Sequence, residues 1–308
     1  CVSEWSMMPP SPWKAEAAPL YAFYGLGLQG WDASYHFCSA ATRLGDGWPG
    51  LSKYVSHTPH YMGQFPALAF AVHQGHVREA KVIAARRVSR EQVFAGRDAL
   101  GQSIAQGGHD TKQLGATVTT PPAALAAGKV TVAFGAGGST GGDLSLHHDE
   151  QKKIVTSSTG ELVWDYGKRY VQVRTPRTQA VVGFVKQRMI RLPAVMIKSK
   201  TPFVSVIFTP LDNRTLATSQ HVLITAMARD RQTGSEFNGD WSKLTTLGGP
   251  PLLLEPVQAR IRLRGKHPAV VRALDIYGVP TDREVDVRAD GSFTIDGSYA
   301  ACYYEVRR

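Results

Sequence analysis

A chain of 308 residues, 43% hydrophobic and 19% charged, carries enough apolar material for one large domain or two to three ordinary ones, which excludes a disordered polymer. The formal net charge is +10. However, the densest basic stretches, Arg86-Arg87, Lys186 to Lys200 and Arg260-Ile261-Arg262-Leu263-Arg264, alternate with apolar residues as half-solvated strands do, so no nucleic-acid partner is expected. No run of about 18 apolar residues occurs, so no membrane partner is expected, and no signal peptide is visible at the start.

In chain order, Val2-Ser3-Glu4-Trp5 is strand-like and leads into a proline-punctuated loop, Met7-Met8-Pro9-Pro10-Ser11-Pro12. Ala17, Leu20, Tyr21, Tyr24 and Leu28 recur at helical spacing within residues 13–28, with Pro19 near the first turn, where the ring is tolerated. After Gly30 a second strand-like run extends from Trp31 to Phe37. Strand, loop, helix, strand is a βαβ unit. It predicts two parallel strands, with chemistry where strands hand over to loops. Residues 38–61 are punctuated by Gly and Pro, are rich in aromatics including Trp48, and read as a long loop over a strand end. Gln64 to His73 predicts a helix stopped at Gly75.

The texture changes near His76. Residues 77–89 alternate like a strand, and Ser89-Arg90-Glu91-Gln92 is a capping start for a short helix through Phe94. Residues 101–143 are rich in Gly, Ala and Thr and read as an irregular insertion with one strand, Lys129 to Phe134. From Ile154 onward the pattern predicts strands at 154–158, 161–165, 169–174, 179–185, 194–198, 203–208, 221–227, 252–255, 258–264, 269–275, 284–288, 292–296 and 302–307. Short strands at this spacing, with turns such as Asp290-Gly291, argue for an antiparallel sandwich. Trp164, Phe184, Phe203, Phe208 and Leu253 are expected to point inward, and a chain starting near Val77 is expected to fold by itself.

The "SEW" run, its proline loop and "EAAPLYAFYGLGLQGWDASYHF" resemble the last two strands of a (β/α)8 barrel of the clan A glycoside hydrolases, closest to β-galactosidase-like and cellulase-like bacterial members. "TSSTGELVWDYGKRYVQVRTPRTQAVVGF" and "VLITAMARDRQTGSEFNGDWSKLTTLGGPPLLLEPVQARIRL" look like the β-rich region that follows the barrel there. The resemblance implies that Glu4 stands at the nucleophile of a retaining mechanism and Trp31 at the aromatic floor of the sugar site. It also implies that the earlier barrel strands, with the Asn-Glu pair carrying the acid/base, lie before residue 1. A secreted or periplasmic location, a carbohydrate substrate and no cofactor are further implications. Trp5, Trp31, Tyr35, His36 and Trp48 offer aromatic faces that match the apolar side of a pyranose, barrel-core packing being the competing use for each. The expected fold is α+β: a partial (β/α) barrel at 1–75, an antiparallel β-sandwich at 76–265 that includes the insertion, and a small β-subdomain or closing strands at 266–308. The expected function is that of the C-terminal portion of a retaining glycoside hydrolase for β-linked poly- or oligosaccharide, of low activity as this chain and self-associating through the incomplete barrel.

Two other function classes stay open. One is a non-catalytic carbohydrate-binding or structural sandwich. The other is an esterase using Ser139, because Gly137-Gly138-Ser139-Thr140-Gly141 has the spacing of a nucleophile elbow, although an alternating stretch follows where the elbow needs a helix. His147-His148-Asp149-Glu150 invites a metal, but adjacent residues on a strand point to opposite faces, so no metal site is expected. Cys1, Cys38 and Cys302 have no C-x-x-C spacing; a Cys1–Cys38 bridge competes with simple burial. Glu16 on the helix and Asp32 after Trp31 are the visible carboxylates to partner Glu4.

Overall fold

The computed structural model describes residues 2–5, 7, 11–37, 58–94, 121 and 123–308. Cys1, Cys38 and Trp48 lie outside them, and so does the Cys1–Cys38 bridge. β1 (Val2–Trp5) and β2 (Ser34–His36) pair in parallel, Val2 opposite Ser34 and Trp5 opposite His36, as a strand–helix–strand order requires. The connecting helix is 3-10 at Lys14–Glu16, α at Ala17–Leu20 (α1) and π at Tyr21–Leu28. Its wide last turns show in the Gln29 N–H donating to the Tyr24 carbonyl at 2.8 Å and the Trp31 N–H to the Gly25 carbonyl at 3.0 Å.

α2 (Pro59–Met62) and α3 (Phe65–His73) follow, and Gly75 ends the latter with φ +59°. Next come β3 (Val82–Val88), α4 (Arg90–Phe94), α5 (Ala124–Ala127) and β4 (Lys129–Phe134). The capping box read from sequence is present. The Gln92 N–H donates to Ser89 Oγ at 3.2 Å, and the Ser89 N–H to Gln92 Oε1 at 2.8 Å. β3 and β4 pair with each other in parallel, outside the main sheets.

The remainder is strand. β5 (His148–Asp149), β6 (Ile154–Thr156), β7 (Leu162–Asp165), β8 (Tyr170–Arg174) and β9 (Gln179–Phe184) form a meander. β10 (Met189–Arg191), β11 (Val195–Ser199), β12 (Phe203–Pro210) and β13 (His221–Met227) come next. β14 (Asp230–Thr233), β15 (Glu236–Phe237), β16 (Leu244–Thr246) and β17 (Gly249–Leu254) make two small ribbons. β18 (Ala259–Leu263), β19 (Val270–Leu274), β20 (Pro280–Glu284), β21 (Ser292–Ile295) and β22 (Tyr303–Arg307) complete the chain.

Ten strands form one antiparallel sheet in the order β20-β19-β22-β13-β12-β9-β8-β7-β6-β5, and four form a second in the order β10-β11-β18-β21. The two pack face to face around Val181, Val206, Phe208, Ile224 and Tyr304 from the large sheet and Ile197, Ile261, Phe293 and Ile295 from the small one. This is the sandwich expected from the strand spacing, and residues 270–307 close both of its sheets. The outer face of the large sheet is covered as well: Leu162, Val173, Ala180 and Ile207 meet Ala18, Ala22, Phe23, Leu68 and Ala71 of the helices. Burial on both faces is why β12 is buried at every position rather than alternating. Each aliphatic side chain buried there contributes about 1.5–3 kcal/mol.

Three expectations shift. Trp164 and Leu253 are 37% and 41% exposed rather than inward. Leu253 belongs to the β14–β17 ribbon, which neither large sheet covers. The strand expected at 284–288 lies earlier, at Pro280–Glu284, leaving only the isolated bridge of Val287 to Phe293. Among the described residues, no helix is long and apolar enough to cross a membrane.

Candidate functional site

Successive strand residues leave from opposite faces. Trp5 leaves β1 toward the helices, where its ring stacks on Tyr21 with centroids 3.9 Å apart and planes 10° from parallel. It meets His36 edge-on at 5.2 Å and Tyr61 at 5.5 Å, and its indole N–H donates to Ser34 Oγ at 2.7 Å. Glu4, the preceding residue, is exposed, in a stretch where the register of β1 on β2 shifts between Val2 and Trp5. On β2 Ser34 and His36 contact Trp5, and Tyr35 between them is 61% exposed, like Glu4 open to solvent.

Trp31 lies with the helix. A Cβ on Gly25 would stand 2.3 Å from the Trp31 ring, so this close approach needs glycine. Tyr21 joins the two indoles, its ring 6.1 Å from that of Trp31. His36 continues the cluster to Tyr61 at 4.4 Å, and Tyr61 to Phe65 at 5.9 Å. Burial, with Tyr21 beside it as the lesser cause, drives the Tyr61 phenol well above its usual range. The structure thus gathers Trp5, Trp31 and His36 into one aromatic layer behind the strand pair, and leaves Glu4 and Tyr35 in front of it.

A carboxylate at a strand end can act as a nucleophile. Retaining glycoside hydrolysis requires a second carboxyl about 5–5.5 Å away. Glu16 does not face β1: it lines a cavity against the large sheet, where burial raises its pKa. Asp32 is exposed in the turn before β2.

Ser139 is exposed, accepting from the Arg87 N–H at 2.9 Å, and a β-bridge of Thr140 to Ala85, not a helix, follows it. His148 bonds the Tyr166 hydroxyl at 2.9 Å. Among the described residues, no group of three or more His, Cys, Asp or Glu is placed to hold a metal ion.

Sequence reasoning missed the polar contacts that dock the helices on the sandwich. Gln64, fully buried, donates to the carbonyls of Ala15 at 2.8 Å and His60 at 2.7 Å and accepts from Ser205 Oγ at 2.6 Å. The Tyr303 hydroxyl donates to the Gly63 carbonyl at 2.6 Å. Lys14 pairs with Asp230 in the same interior, and His60 Nδ1 lies 3.9 Å from the other Asp230 oxygen. A charged residue inside an apolar helical pattern was the one available signal for that pair, and it does not name its partner. Comparisons with protein-family models, with curated proteins and with solved structures found no match.

Proposed function

We propose that this chain is the C-terminal portion of a retaining glycoside hydrolase acting on β-linked poly- or oligosaccharide, in which residues 1–75 are the end of a (β/α) barrel and Glu4 supplies the nucleophile. The observation that carries the reading is the β1–β2 pair. It is parallel, crosses over through a helix, and presents Glu4 in front of an aromatic layer whose other members pack on the helices. Catalytic groups of such barrels stand at the C-terminal ends of strands. In this reading Glu4 attacks the anomeric carbon and forms a glycosyl ester, while a second carboxyl, about 5–5.5 Å away, acts as acid/base.

Among the described residues no second carboxyl is placed beside Glu4 to protonate the leaving oxygen, so an activated aryl β-glycoside, which needs no such help, is the substrate expected to turn over, and slowly. The test compares the chain with Glu4→Gln on such a substrate and follows saccharide binding in Tyr35→Ala, because Trp31 packs behind the strand pair. Turnover confined to the chain with Glu4 supports the proposal. No turnover, together with binding that ignores Tyr35→Ala, removes it.

A further inference from the structure

Glu16, Leu20 and Tyr24 repeat at intervals of four along the connecting helix and form one wall of a cavity of about 540 Å3. Trp164 and Tyr166, on β7 and just past its end, form the facing wall, and Arg169 stands at the rim in the turn before β8. That volume lies within the usual range for a small-molecule site, about 300–1,000 Å3. Two polar groups in it lack partners. The Tyr24 hydroxyl is sealed from solvent without a hydrogen bond, and burial drives its phenol far above the usual range. The Glu16 carboxyl has no hydrogen bond or ion pair among the described residues, and burial raises its pKa. A ligand group can supply the hydrogen bonds that such groups lack.

The geometry points to a saccharide-binding site in this cavity, with one or two pyranose rings as ligand. Trp164 and Tyr166, 5.3 Å apart and inclined at 52°, offer an angled aromatic surface for the apolar side of a ring. Besides tyrosine hydroxyls, the ionisable side chains lining it are one acid, Glu16, and one guanidinium, Arg169, which argues for a neutral ligand over a cation or anion. A sugar's hydroxyls both donate and accept, so they satisfy Glu16, Tyr24 and Arg169 together. Arg169 is held ready: its backbone is left-handed at φ +62°, and its guanidinium lies 4.5 Å from the centroid of the Phe184 ring. This site does not use Glu4 or Trp31 and stands apart from the reading above.

The experiment is a ligand-observed NMR titration of the full chain with cellobiose, lactose, xylobiose and mannobiose, and with benzylamine as the cationic arm. The expected result is saturable binding of at least one disaccharide, weakened about tenfold by Trp164→Ala and by Glu16→Leu and largely kept by Trp164→Phe. A cooperative thermal transition in each variant checks that it folds. No binding by any of the four disaccharides overturns the inference, as does benzylamine binding in their place. Binding lost in Tyr35→Ala but untouched by Trp164→Ala and Glu16→Leu also overturns it, and leaves the Glu4 site standing.

Discussion

Lys14 and Asp230 form an ion pair from which solvent is excluded, their side chains 3% and 0% exposed. One comes from the connecting helix and the other from the β14–β17 ribbon, so the pair ties the N-terminal unit to the edge of the sandwich. Asp230→Asn takes a negative charge from beside a buried ammonium, and stability should fall by about 3–5 kcal/mol. Replacing both residues with apolar ones of similar volume, Lys14→Met with Asp230→Leu, should recover most of that loss. Urea denaturation of the three proteins measures both effects. Equal losses in the single and double variants would show that the charges are not coupled.

His76 gives a pH dependence with a definite sign. Burial, with the Arg177 charge second, lowers its pKa to about 4, and its Nδ1 lies 2.7 Å from Thr178 Oγ1. The folded chain keeps this ring neutral where the unfolded chain protonates it, below about pH 6.5. The unfolded state therefore binds more protons between about pH 6.5 and about pH 4, and stability falls as pH drops through that window. His60 is lowered by burial too and adds in the same direction. His76→Gln should flatten the acid limb of urea midpoints measured from about pH 7 to about pH 4.5, and an unchanged limb would assign it to other groups.

Gly25→Ala forces a methyl into the Trp31 ring. The ring must move off the helix, at about 1–3 kcal/mol. The thermal midpoint should fall, and Trp31 fluorescence should shift toward that of a solvated indole. Gly75→Ala, whose Cβ meets nothing within 4 Å, controls for helix-end strain alone.

A chain starting at Val77 should expose Leu162, Val173, Ala180 and Ile207 on the outer face of the large sheet. The strand density after Ile154 suggests independent folding, but it does not reveal that this face has a cover. The shortened chain is expected to bind apolar dye and scatter light at micromolar concentration. A soluble monomer with a cooperative transition would mean that the helices are dispensable.

Self-association through the parallel pair is also expected. In the N-terminal unit, Phe23 and Leu68 are buried within the chain, and Leu20 and Tyr24 line the cavity. Tyr35, 61% exposed, and Phe37, 39% exposed, remain at the two-stranded edge. Sedimentation should show a concentration-dependent dimer that Tyr35→Lys weakens.

Local signals were legible where the chain interacts with itself nearby. The Ser89–Gln92 capping box, the Gly75 stop, and the turns at Asp290-Gly291 and between β7 and β8 follow from neighbouring residues alone. Partners distant in sequence were not legible. Lys14 looks like a solvated residue until Asp230 arrives, and Gln64 like a helix start until Ser205 does. Trp164 fits an inward β residue by type. Its strand, however, buries Leu162 and Asp165, and Lys168 caps the acid at 2.7 Å, a pattern set by the hairpin turn rather than by hydrophobicity. At the candidate site, residue types pointed to a carboxylate with aromatics. Only the register of β1 on β2 separates the aromatics that pack behind the strands from the residues that face out.

The position of β22 has a consequence for synthesis. Residues 303–307 lie between β13 and β19, hydrogen-bonded to both, inside the ten-stranded sheet. A nascent chain that has already made β13 has no permanent neighbour for that edge until these residues leave the ribosome. β13, rich in Val, Leu and Ile, thus waits unpaired on one side through the making of roughly a quarter of the protein, several seconds or more at about 5–20 residues per second. During that interval it is the segment most in need of a chaperone. Substitutions in β22 should therefore lower the yield of folded protein in cells by more than their effect on the finished fold.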